Sequence, residues 1–333
     1  MAQPAQADRD DVGPAADIDF SLVTGDLLHR AQRLVGLIPS RGLGTGRRIA
    51  IAIGVTWLPL ALWAVWNQLF LPGVAEEPLL RHFGIHARFL VALPLFLASE
   101  GLVERTLRRV VPQFLSSGLI DAAQLPDFRR ILVGTGRLRD SRLALGVIIG
   151  LVVVISAIGW GDAEHNHELA WAQSLSGRAF AAAWFSCVSR PIFLLALLAW
   201  LWRLAVLTRL FQRIAALDLK LAPTHPDRTG GLAFVEKLPA AFAPFFFGIA
   251  LVIAGRWGHD AMYHGLRVEE LGMSAGLLVV LSVLIGAAPL AVFVGKLLAV
   301  KRTTRPRQTN KPRLLPRRST LSASSLRLRV GTG

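Results

Sequence analysis

Six long stretches of the chain are almost free of charge, and they set its organisation. A helix needs about 20 mostly apolar residues to cross roughly 30 Å of hydrocarbon. Residues 49–71 and 143–160 contain no charged group, and Pro59 predicts a kink in the first of them. Residues 88–105 form a second span interrupted by Glu100, and 179–202 a fourth interrupted by Arg190-Pro191. Residues 238–256 and 273–295 complete the set. The expected fold is therefore an all-α integral membrane protein, a bundle of about six transmembrane helices.

The charges between the spans alternate. Eight arginines lie between spans two and three, and six basic residues lie from Arg203 to Lys237, between spans four and five. Arg41, Arg47 and Arg48 precede span one, whereas the segments after spans one, three and five hold two, one and two basic residues. Lys and Arg are retained on the cytoplasmic side, so both termini are expected in the cytoplasm. Trp160 and Trp257 fall at outer span ends, and Trp200 and Trp202 at an inner one, where amphipathic rings prefer to sit. No signal peptide is expected, because five Asp stand among the first 20 residues without an apolar run beside a basic start.

Composition agrees with lipid burial. Of 333 residues, 53% are hydrophobic and 18% charged, against about 25% charged in soluble domains; the mean hydropathy is +0.48. The net charge of +15 would suggest a nucleic-acid partner if it were uniform. It is not: residues 301–333 hold ten basic groups and no acid, leaving +5 for the rest, spread by membrane topology. No nucleic acid is expected as a partner; lipid bilayer and anionic headgroups are. The single cysteine, Cys187, excludes an internal disulfide or thiolate cluster.

Outside the spans, residues 1–23 read as a disordered tail rich in Ala, Asp and Pro. Residues 24–48 read as an amphipathic cytoplasmic segment with Thr24 as N-cap. Its apolar face, from Leu27 to Ile38, would lie on the membrane surface or pack against the protein's own loops. Residues 49–299 are the membrane domain, within which Glu104 to Arg142 predicts a helical hairpin. The 300–333 segment turns abruptly to Arg, Pro, Ser and Thr. It is either a basic disordered tail held to an anionic leaflet or the product of a frameshift in a GC-rich gene.

Three groups of residues could carry chemistry. Glu100 and Arg190 each follow 11 uncharged residues in spans running the same way, which places them at similar depth and predicts an intramembrane ion pair. Such a pair would staple helices or form an ion, proton or substrate site, to which Asn67 could contribute. Six of eight histidines (His82, His86, His165, His167, His259 and His264) fall in expected outer segments among acidic residues. Imidazole with carboxylate suits zinc, copper or nickel, although no HEXXH motif is present; a structural role for these histidines stays open. No Walker, nucleophile-elbow, Rossmann or haem-attachment motif occurs, and no cofactor is assigned.

The third group is His225, Pro226, Asp227, Arg228, Gly230, Gly231 and Leu232, before span five. This block resembles a motif of uncharacterised bacterial multi-span inner-membrane proteins, His-Pro-Asp-Arg-x-Gly-Gly-Leu. The resemblance covers the block and the six-span layout; it implies a bacterial inner-membrane location and no particular activity. Gly146 and Gly150 form a small-residue face on span three suited to close helix approach. Two function classes remain: permeation or transport through a polar intramembrane site, or a non-enzymatic scaffold, sensor or assembly component. The second would dock a protein partner, or a second copy of the chain, through its cytoplasmic loops.

Overall fold

The structure, a computed structural model, describes residues 20–39, 42–73, 77–162, 169, 171, 178–221, 231–263, 265, 267 and 271–304. Among these it is all-α, with no strand. Six helical segments are long and apolar enough to cross a membrane: Thr45–Trp66, Phe83–Ser116, Ala122–Ile158, Phe180–Ala216, Ala233–Tyr263 and Leu271–Lys296. The chain is a multi-pass membrane protein.

The helices are α1 (Leu27–Leu34), α2 (Thr45–Thr56), α3 (Leu58–Trp66), α4 (Phe83–His86), α5 (Leu93–Ser116), α6 (Leu125–Arg139), α7 (Arg142–Asp162), α8 (Arg178–Trp184), α9 (Arg190–Ala216), α10 (Lys237–Tyr263) and α11 (Leu271–Thr304). Prolines shape the spans: Pro59 brings the expected break, whereas Arg190-Pro191, expected to interrupt span four, leaves it continuous. Pro59 stands in the first turn of α3, and the break in span one falls at Trp57, whose N–H still reaches the Ile53 carbonyl at 2.9 Å. Pro94 and Pro191 open α5 and α9, and a π-helical stretch precedes each, Ala87–Ala92 and Phe185–Ser189. A proline lacks an N–H and crowds the carbonyl four residues back, and a widened turn relieves that clash within a continuous helix.

The core lies where α5, α9 and α10 meet. Phe96, Phe193, Phe245 and Trp200 pack with ring centroids 5.0–5.6 Å apart. A second aromatic knot joins Phe114, Phe211, Phe234 and Phe293. By contrast, α7 and α11 expose Leu143, Val147, Met273, Leu277 and Leu284, a surface suited to lipid.

The small-residue face of span three makes no close helix approach among the described residues. Around Gly146 and Gly150 there is open space. It is α10 that presses glycine against a neighbour. A Cβ on Gly248 would lie 3.0 Å from the Phe96 ring and 3.2 Å from the Ala92 Cα. One on Gly255 would lie 3.1 Å from the Phe83 carbonyl. The packing of α10 against α4 and the π-helical stretch rests on those two absences of a side chain.

The N-terminal segment is more ordered than its composition suggests. Phe20, Leu22 and Val23, expected in a disordered tail, are buried in the core. The N-cap of α1 is Asp26, not Thr24, with its carboxylate accepting the His29 N–H at 2.5 Å. α1 packs against the bundle through Asp26 and His29, while Leu34 and Val35 stay exposed, so the apolar face is divided between protein and surroundings. The 104–142 region is the expected helical hairpin, α5 turning into α6 through an Asp121–Gln124 capping box.

Gly255→Leu is expected to lower the thermal transition in detergent by the equivalent of about 1–3 kcal/mol, because backbone must move to admit the side chain. Gly146→Leu should leave the transition unchanged, since nothing stands in its way. Differential scanning fluorimetry of the two variants beside the wild type makes the comparison.

Candidate functional site

A buried carboxylate in a helical bundle demands counter-charge, and the bundle is arranged to supply it to Glu100. Glu100 sits on the inward face of α5 at 3% exposure. Arg203 of α9 donates through Nη1 to Glu100 Oε1 at 2.7 Å, and Arg48 of α2 donates through Nη1 to Glu100 Oε2. The far side of the Arg203 guanidinium grips Asp26, Nη2 at 2.8 Å and Nε at 3.2 Å from Oδ2. The result is an alternating chain, Asp26–Arg203–Glu100–Arg48, with every member buried and a formal charge of zero.

Local structure delivers each residue. Asp26 reaches Arg203 because it ends the extended turn that caps α1. Arg48 lies in the first turn of α2, whose N-cap Gly44 adopts φ +57° with Pro39 packed where a Cβ would be; only glycine permits that entry. The N-terminal segment is tied down a second time by Glu104, one turn below Glu100, whose Oε2 accepts the N–H groups of Leu22 and Val23 at 3.3 Å. Arg139 adds bonds to the Ser21 and Thr24 carbonyls.

The expected pairing of Glu100 with Arg190 is not what forms. Arg190 and Arg203 are 13 residues apart on α9, about 20 Å along the axis, too far for a side chain to span. Arg190 instead lies over the Phe185 ring at 5.0 Å. Arg48 and Arg203 border their spans, so the sequence marks them as headgroup-facing charges; nothing in their spacing reveals that they turn inward. Asn67 bonds to the Trp63 carbonyl of its own helix and takes no part in the network.

Above the charged chain lies a cavity of about 410 Å³ between α1, α2, α5 and α9. Its walls are apolar, including Ile51, Val55, Leu93, Phe96, Leu195 and Ala196. Arg48, Glu100, Arg203 and Gln32 form its polar end. Gln32 Oε1 is buried there without a hydrogen-bond donor among the described residues. A guanidinium offers five N–H donors, and Arg48 commits one to Glu100. The polar end therefore presents both donors and an acceptor to whatever enters.

At the opposite end of the bundle the histidines divide. His86 is a tie between helices: its Nδ1 accepts the Trp57 Nε1–H at 3.0 Å and its Nε2–H donates to the Leu79 carbonyl at 2.9 Å. It does not share a site with His82, which stands between the short helical turn Leu79–Arg81 and α4. His82 meets His259 of α10, rings 4.2 Å apart, and both turn Nε2 toward Glu77, at 3.6 and 3.2 Å from its Oε2. Glu77 was not among the sequence candidates. His165, His167 and His264 lie outside the described residues, as do His225, Pro226, Asp227, Arg228 and Gly230. Gly231, at φ +95°, packs against Leu119.

Compared with known proteins, the chain matches no family model, no curated protein and no solved structure. The fold and the charged chain define a six-span helical membrane protein with a polar-ended cavity, and its chemistry must be read from its own residues.

Two outcomes test the network. Neutralising Glu100 and Arg203 together should cost less than the sum of the single changes by about 1 kcal/mol or more, whereas Glu100 with Arg190 should be additive within about 0.5 kcal/mol. Unfolding in detergent measures both cycles. The second outcome concerns His29, which is outside the spans. Burial pushes its imidazole below the ordinary 6.5, against the pull of the Asp26 carboxylate. The undocked ring then binds protons more readily than the docked one. Docking is at full strength above 6.5 and weakens as pH falls through the lower docked value. A spin label at the exposed Val35, in a Cys187→Ser background, should gain mobility on acidification, and His29→Gln should flatten that response.

Proposed function

We propose that this is a multi-pass protein of a bacterial inner membrane, both termini cytoplasmic, that binds an amphipathic small molecule in its intramembrane cavity as the loading step of permeation or transport. The observation that carries the reading is the cavity itself: about 410 Å³, apolar along its walls and polar at one end. Ligand pockets of some 300–1,000 Å³ combine apolar walls with a few placed polar groups in this way. The polar end is formally neutral, so it favours a head that accepts and donates hydrogen bonds over a free ion. The apolar part of the ligand would lie against Val55, Leu93 and Ala196.

The orientation rests on the arginine-rich segments between alternate spans. They would face anionic headgroups, to which the groove lined by Arg137, Arg209 and Arg213 is suited.

A dansyl-labelled fatty-acid primary amide, whose head both donates and accepts, added to proteoliposomes is the probe. Saturable fluorescence enhancement is expected for the wild type. Ala196→Trp fills the cavity without touching the charged chain and should weaken binding at least about tenfold, the effect of losing some 1.4 kcal/mol. Equal binding by the two proteins would place the ligand elsewhere and end the proposal. Uptake of the same probe, compared with Glu100→Gln, then separates transport from binding alone.

A further inference from the structure

Glu77, His82 and His259 come from three separate parts of the chain: the connection after span one, the residue before α4, and the last turns of α10. Each offers one ligand atom, and those atoms lie within 4.8 Å of one another. Both imidazoles are buried, His82 at 3% and His259 at 7% exposure. Two Nε2 atoms thus converge on one carboxylate oxygen.

The tautomer of His259 follows from its other nitrogen. Nδ1 lies 3.4 Å from the Arg81 carbonyl oxygen, and a carbonyl only accepts, so Nδ1 carries the proton. That leaves Nε2, 3.2 Å from Glu77 Oε2, as the nitrogen that can ligate. A cation lying between the two atoms would bind both. A backbone carbonyl holding Nδ1–H is also the support that metal-bound imidazoles use to fix the tautomer and raise basicity.

The spacing suits a particular class of ion. A four-coordinate zinc ion with bonds of about 2.0–2.1 Å keeps its ligand atoms roughly 3.3 Å apart. The two carboxylate-to-imidazole distances, 3.2 and 3.6 Å, bracket that separation. Magnesium and calcium prefer all-oxygen sets, whereas two imidazoles with one carboxylate select zinc and its divalent transition-metal neighbours.

We propose that Glu77, His82 and His259 form a three-ligand site for a divalent transition-metal ion of the zinc class, at the end of the bundle opposite the charged chain. Two neutral imidazoles and one carboxylate leave a bound dication with a net charge of +1 and a fourth position for water or an exogenous anion. The ion would clasp the connection between spans one and two to the end of span five. Glu77 is the most accessible of the three, at 17% side-chain exposure, and so gives the ion its route in. The site does not depend on the amphiphile-binding reading, because it shares no residue with the cavity.

The test is zinc retention by full-length protein without an affinity tag, in detergent, measured by mass spectrometry after dialysis and by competition with a chromophoric chelator. One zinc per chain is expected for the wild type. His82→Gln and His259→Gln should each weaken binding by about 100-fold or more, since even loss of an outer-shell partner costs 10–100-fold. Glu77→Gln should also weaken it. The His165→Ala/His167→Ala variant should retain the ion. Cobalt substituted into the wild type should give the intense visible bands of a four-coordinate site, a readout that stands even if a variant fails to fold. No retained zinc in the folded wild type, retention by the His82→Gln/His259→Gln double variant, or loss confined to the His165/His167 variant would each overturn the proposal.

Discussion

A carboxylate buried among helices is the constraint from which the rest of this architecture follows. Left alone, the Glu100 charge would cost several kcal/mol to desolvate. Its two oxygens are instead matched by two guanidinium groups from different spans, and the second guanidinium is matched in turn by Asp26. Residues 26, 48, 100 and 203 thereby fix the relative positions of α1, α2, α5 and α9. The network is neutral only when complete, so removing any one member leaves its neighbour as an uncompensated buried charge. This is why the N-terminal segment is part of the fold. Without Asp26 closing the chain, Arg203 would carry half its coordination into an apolar surrounding.

The same arrangement explains where the bundle is tight and where it is loose. Tight packing concentrates on α5, α9 and α10, with glycine seams and stacked phenylalanines. Between α2 and the α5–α9 pair, the charged chain holds the helices at the distance of two opposed arginine side chains. A space that cannot collapse remains above it. Large polar spacers at one end and mostly small or branched aliphatic walls beyond them make a cavity, where an all-apolar interface would have closed by van der Waals contact.

Much of this was legible in the residues and some was not. The six spans follow from hydropathy because hydrocarbon thickness sets their length, and the break before Pro59 and the widened turn before Pro191 follow from proline's missing N–H. Glu100 stood out because an acid inside an apolar run is costly wherever it points. Its partner did not. Depth alone placed Arg190 level with Glu100, but which face each helix presents depends on packing, and Arg48 and Arg203 looked like ordinary border charges. Phe20, Leu22 and Val23 were hidden by the polar residues before them. Glu77 was missed because an acid in a connection carries no periodicity, and only tertiary contact brings it to His82 and His259.

Pairing with Arg203 in place of Arg190 also changes what the polar end of the cavity can do. A lone acid at mid-span would present net charge to a passing ion and could exchange protons with it. The observed chain matches each charge with its opposite, Arg203 at 2.7–3.2 Å from Glu100 and Asp26 and Arg48 on the other Glu100 oxygen, so an entering ion would meet fixed dipoles and no net charge. It would also have to shed water against aliphatic walls. An amphiphile faces neither cost: its tail replaces emptiness along Val55, Leu93 and Ala196, and its head finds the remaining Arg48 donors and the Gln32 carbonyl. Because that head would touch α1 through Gln32 as well as α2 through Arg48, occupancy and docking of the N-terminal segment share contacts. On the proposed reading, ligand exchange would call for α1 to loosen, and the lowered His29 imidazole would couple that loosening to protons.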